Sequence, residues 1–187
     1  MTIVATGSIA SFFDEVVEDA LKARGVNASE GATRYLVGVL AEPHIEPRPL
    51  ALSLQEALVI SEPAERFERL RLLGDAVLYG SGFFADHFAA RGLENRYVCT
   101  IGARAYSHAG AMLRGDQTGL FDELAQRFEQ FAQVLTEVAD RTLAHQAPGA
   151  KNLLKLYERW LKTGSETVAE ALVDQGIFPT RGTKGVQ

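Results

Sequence analysis

Only one cysteine, Cys99, occurs in the 187 residues, which excludes an internal disulfide and a zinc site built from several thiolates. Long uncharged apolar runs are missing as well. None reaches the ~18 residues a membrane span needs, and no basic segment opens the chain as in a secretory signal. Positive charge is not in surplus: 19 Lys and Arg stand against 24 Asp and Glu, a net charge of −5. A protein that lives by phosphate contacts shows a strongly basic domain instead. Catalytic signatures are also absent. There is no Glu-x-x-His pair for a di-iron bundle, no His-Glu-x-x-His, no Gly-x-x-x-x-Gly-Lys-Ser/Thr loop and no Gly-x-Ser-x-Gly. What remains is an acidic globular chain, expected in the cytoplasm, with no membrane, nucleic acid, metal or cofactor among its expected contacts.

What is present is helical periodicity punctuated by proline and glycine. Ile9, Phe12, Phe13, Val16, Val17, Ala20 and Leu21 recur at i, i+3, i+4, and Gly25 fits the C′ position. Ser29 caps a second helix that Pro43 ends, because the residue before proline is pushed out of the α region. A stiff loop, Glu42 to Pro49, leads to a third helix near 50–60, and Pro63 opens a fourth over 64–91. A fifth covers 94–113. Phe121, Leu124, Phe128, Ala132, Leu135 and Val138 mark a sixth, and the last helical region, from Lys151, is interrupted at Thr163-Gly-Ser165 and stops at Gly176. Thr163 and Glu166 have capping-box spacing. No segment alternates at period 2, so the expected fold is an all-α single-domain bundle of seven or eight helices spanning 8–178, with flexible ends at 1–7 and 179–187.

Two stretches are apolar on almost every side: Leu72–Ala85, with Asp75 as its only charge, and Tyr97–Leu113, with Arg104. Helices of that kind belong at the centre, so 64–91 and 94–113 are expected to form a buried antiparallel hairpin with the remaining helices around it. A turn near residue 92 or 93 would bring Tyr79 level with Tyr106 and Asp75 within a turn of His108. Arg104 lies one turn before His108. Asp75, Tyr79, Arg104, Tyr106 and His108 are therefore the candidate ligand-binding group, with Asp75 and His108 as candidate proton-transfer residues. The alternative is a satisfied internal network that fixes helix register. In either case Asp75 should be less than about one-fifth exposed and bonded to Arg104, His108 or a tyrosine hydroxyl, since an isolated buried charge is too costly to keep.

Other chemistry-bearing residues have plainer readings. Cys99, on the buried fifth helix, reads as a small hydrophobe, and Ser81 as a packing residue. His44 sits between Glu42 and Glu46 in the proline loop, either as part of a weak metal site or as a solvated side chain. Lys151, Lys155, Arg159 and Lys162 form one stripe on the last long helix, opposite Leu153, Leu156 and Trp160. Such a stripe is a solvated face or a dock for an acidic protein partner. Phe12, Phe13, Phe131 and Ile177-Phe178 exceed what one chain is expected to cover. That points to a homodimer through the N-terminal helix or the helix at 121–142, the alternative being that the chain ends fold back and cover these residues within one chain.

From Tyr35-Leu-Val-Gly-Val-Leu, through Leu72-Leu-Gly-Asp-Ala-Val-Leu-Tyr-Gly-Ser-Gly-Phe-Phe84, to Leu156-Tyr-Glu-Arg-Trp-Leu161, the chain resembles a family of uncharacterised bacterial all-helical cytoplasmic proteins. The likeness covers roughly residues 29–178, the span of one domain. It implies a bacterial cytoplasmic protein and no known activity. The expected function is that of a non-enzymatic helical domain acting through protein–protein contact, with a small-ligand-binding or enzymatic bundle around the Asp75 group as the alternative. Gly74-Asp75 and Gly80-Ser-Gly82 are also similar, more weakly, to the glycine-rich distal helix of heme oxygenase-type folds. Those take their axial histidine from the first helix, whereas this chain has no histidine before His44.

Overall fold

The computed structural model describes residues 4–146 and 149–180. Among them are ten helices and no strand: α1 (Val4–Arg24), α2 (Glu30–Ala41), α3 (Leu50–Leu58), α4 (Pro63–Phe83), α5 (Ala85–Ala90), α6 (Asn95–Gly110), α7 (Asp116–Gln126), α8 (Phe128–Ala144), α9 (Ala150–Thr163) and α10 (Glu166–Asp174). The all-α class stands. None of the described helices is long and apolar enough to cross a membrane. Of the chain ends expected to be flexible, 1–3 and 181–187 lie outside the described residues, while 4–7 are the first turn of α1. The chain divides into two compact units, 1–136 and 137–187.

Ten helices rather than seven or eight arise because two expected helices are broken. The first break is at Phe84, whose backbone (φ −128°, ψ 29°) leaves the helical region between α4 and α5. Gly80 and Gly82 weaken the helix just before it, and Phe88 of α5 folds back onto the bare face of Gly80. The second is at Arg127 (φ −111°, ψ 20°), between α7 and α8. Its guanidinium reaches back to the carbonyl of Asn27 and to Glu123, and lies 5.2 Å over the Phe131 ring. Tertiary contacts thus end a helix whose periodicity runs on. The break at residue 164 falls as expected, with Gly164 at φ 65°, but Ser165 rather than Thr163 caps the next helix, accepting from the Val168 amide.

In the first unit α4 is the central element. Leu73 through Leu78 are all buried, and so are Gly80, Ser81 and Gly82. Its antiparallel partner is α6. Asp75 bonds Tyr106, while Ser81, six residues later on α4, lies beside Cys99, seven residues earlier on α6. Close approach uses the glycines: a methyl group at Gly74 would meet the Tyr106 ring, at Gly82 Leu135, and at Gly102 the Phe128 ring. The hairpin is not buried on both sides, however. α6 turns Arg96, Tyr97, Thr100, Arg104, Ser107 and His108 outward and is an ordinary amphipathic helix. In the second unit Leu156, Trp160, Val168 and Leu172 form the core between α9 and α10, with Leu143 and Tyr157 packed on it.

Candidate functional site

Asp75 is 5% exposed and carries three donors. The hydroxyls of Tyr35 (2.6 Å) and Tyr106 (2.8 Å) both donate to Oδ1, and Nη1 of Arg71 donates to Oδ2 at 2.7 Å. Burial pushes the carboxyl above its ordinary range, against the pull of the two hydroxyls and Arg71. Burial and the Asp75 charge together raise both tyrosines, so their hydroxyls stay protonated as donors. The expectation of a buried Asp75 bonded to a tyrosine hydroxyl is met through Tyr106.

Arg104 and His108 are corrected. Both are exposed and neither reaches Asp75. The reason is helical geometry: each lies two residues from Tyr106, about 200° around the helix, so neither can share its face. Tyr79 is not level with Tyr106 either. The break at Phe84 moves the pivot toward residue 90, which places Asp75 opposite Tyr106 and leaves Tyr79 one helical turn further along α4. The two donors that the sequence reading missed are Tyr35 and Arg71. Arg71 stands four residues before Asp75, the spacing of a helical ion pair. Tyr35 adjoins the buried Leu36 and Val39 on α2, so its sequence neighbours mark it only as a packing residue.

Two concavities flank α4 in the first unit. One, of about 610 Å³, has Arg34, Tyr35, Gly38, Glu42, Arg71 and Asp75 in its lining. Its arginines are engaged, Arg34 with Glu30 and Arg71 with Glu68 and Asp75. The other, of about 370 Å³, lies between the proline loop and α4–α5. Ile45, Leu50, Ala76, Phe84 and Phe88 form its apolar wall, and Tyr79, His44, His87, Arg91 and Glu46 bring polar groups to it. Tyr79 stacks on Phe83 (centroids 4.8 Å apart) and meets Phe84 edge-on at 5.8 Å. Burial raises the Tyr79 hydroxyl above its ordinary value, and no hydrogen bond from the described residues reaches it. Glu46 is held by Nε of Arg48 at 3.0 Å, which keeps its carboxyl below the ordinary range although burial works the other way.

The remaining candidates separate. Cys99 is buried, with its thiol raised by burial and by Glu129. The Ser81 hydroxyl donates to the Val77 carbonyl at 2.7 Å, inside its own helix. Among the described residues no group of three His, Cys, Asp or Glu side chains could hold a metal. The glycine-rich stretch does not fit a heme, because Tyr106, Phe88 and Leu135 fill the spaces beside Gly74, Gly80 and Gly82. On α9, Lys151, Lys155 and Lys162 are exposed, but Arg159 is not part of a solvated stripe: its Nε donates to the buried Asp140 at 2.7 Å. Phe131, expected at an interface, is fully buried, whereas Phe12 and Phe178 are exposed.

No protein-family model, curated protein or solved structure matches the chain.

Proposed function

We propose that this chain is a small-molecule-binding helical protein whose site is the 370 Å³ pocket between the proline loop and α4–α5. One observation carries the reading: Tyr79, half-buried beside the rings of Phe83 and Phe84, lines this pocket, and no hydrogen bond from the described residues reaches its hydroxyl. Ligand sites are concave and mostly apolar with a few convergent polar groups, at ~300–1,000 Å³, and this pocket has that composition at the small end of the range. The 610 Å³ cleft is the poorer candidate because its charged side chains already neutralise one another. The test is titration with 1-anilinonaphthalene-8-sulfonate followed by fluorescence. Saturable binding that is lost in Ile45→Trp, a filling change on the exposed rim, supports the reading; binding unchanged by that variant overturns it.

Protein docking is the second reading, and one feature of α9 favours it. Leu154 and Leu161, two helical turns apart, are both more than half exposed, beside Lys151, Lys155 and Lys162. A partner that offers carboxylates around an apolar centre would suit that face. Self-association is the simplest form of this reading, with exposed Phe178 of the same unit as a further apolar contact. Light scattering at micromolar concentration tests it: a species of twice the chain mass that Leu154→Glu dissociates supports it, and a monomer at every concentration removes it.

A further inference from the structure

The polar groups of the pocket are unequal in kind. Arg91 offers only donors, the Tyr79 hydroxyl and the His44 and His87 imidazoles can each donate as well as accept, and the one carboxylate, Glu46, is occupied by Arg48. Arg91 enters no ion pair among the described residues, and neither imidazole has a side-chain hydrogen bond there. A surplus of donors around an aromatic wall calls for a ligand that supplies acceptors at one end and apolar surface along the rest. This is conspicuous in a chain of net charge −5, whose other arginines beside cavities are mostly matched to carboxylates.

Resting on the pocket reading above, we infer that the ligand is an aromatic or apolar monocarboxylate, its body against Phe84, Phe88 and Tyr79 and its carboxylate on the Arg91 guanidinium. A single planar guanidinium matches one carboxylate in a two-point fork. A phosphate dianion would meet only one fixed cation here, so the match is to a carboxylate. Tyr79 donates to the same end of the ligand, which gives its hydroxyl the partner it lacks.

The experiment is calorimetric titration of the full chain with 2-naphthoate and with its neutral counterpart, 2-naphthamide. The acid should bind about tenfold or more tightly than the amide, the usual worth of a hydrogen bond to a charged group. Arg91→Met keeps the apolar stem of an exposed side chain with no structural bonds, so it should fold normally, as checked by circular dichroism. It should lower the acid to the affinity of the amide and leave the amide unchanged. Equal binding of acid and amide to the native protein, with both lost in Ile45→Trp, overturns the carboxylate assignment while the pocket stands. Binding of neither compound overturns the pocket reading as well.

Discussion

Tyr35 and Tyr106, on two different helices, donate their hydroxyls to the same oxygen of Asp75, at 2.6 and 2.8 Å. A single carboxylate therefore joins α2, α4 and α6, and Arg71 holds its other oxygen. Asp75→Ala should destabilise by about 1–3 kcal/mol, because it strands the fully buried Tyr106 hydroxyl. The cost stays below the ~3–5 kcal/mol of a broken, sealed ion pair, since Arg71 is partly exposed and keeps Glu68. Urea unfolding measures it, and a loss above that range would mean Arg71 cannot rehydrate.

The same carboxyl predicts a pH dependence. Burial raises it in the folded protein, so the native state holds that proton more tightly than the unfolded chain. Its stabilisation is then complete below the unfolded value and is lost as pH rises through the folded value. The stability difference between the native protein and Asp75→Asn should fall with rising pH, beginning in the ordinary carboxylate range. A difference that grows with pH would reverse the sign of the shift.

Two helical glycines should respond to alanine in opposite directions. At Gly82 a methyl group would press on Leu135, including its backbone, and overpacking of that kind costs about 1–3 kcal/mol. Gly38 has nothing within 4 Å of its would-be methyl. Gly38→Ala should therefore gain about 1 kcal/mol from helix propensity, raising Tm by about 2–4 °C. Thermal melts of the two variants side by side are enough to check this.

The basic residues of α9 should also divide. Lys155→Ala should stay within about 0.5 kcal/mol of the parent, as exposed positions do. Arg159→Ala removes the partner of Asp140, which is 1% exposed, and should cost about 3–5 kcal/mol. Chemical unfolding followed by the single tryptophan, Trp160 on the same helix, reads the second unit directly. Equal effects at the two positions would contradict the Asp140 pairing.

Cys99 should resist alkylation. Its thiol is buried and its pKa is raised, so the thiolate that reacts is scarce at neutral pH. Iodoacetamide followed by mass spectrometry should leave the native chain unmodified and label it in urea. Rapid native labelling would place the thiol at the surface.

The helical class and the burial of Asp75 were legible because both follow from local pattern: 3.6-residue periodicity, and a lone charge in an apolar run. The breaks at Phe84 and Arg127 were not, since each depends on a distant side chain, Phe88 against Gly80 in one case and Arg127 on the Asn27 carbonyl in the other. The Arg71–Asp75 pair could have been read from its spacing of four. Tyr106 could equally have been set apart from Arg104 and His108 by counting degrees around α6. Tyr35 offered no such signal: its partner lies 40 residues away on another helix. The aromatic pocket was invisible for a similar reason, because the Phe84 break creates its α5 wall.

The shared oxygen of Asp75 also sets an order of events during synthesis. Tyr35 precedes it by 40 residues and Tyr106 follows it by 31, so as the chain leaves the ribosome Asp75 meets one donor well before the other. A nascent chain that has emerged only to α5 holds a carboxylate and a glycine face at Gly74 with no Tyr106 to seal them. The first unit cannot close stepwise from its N-terminus; it waits for α6. A product truncated ahead of Tyr106 would therefore present open, half-satisfied helices to chaperones and proteases rather than a smaller folded protein.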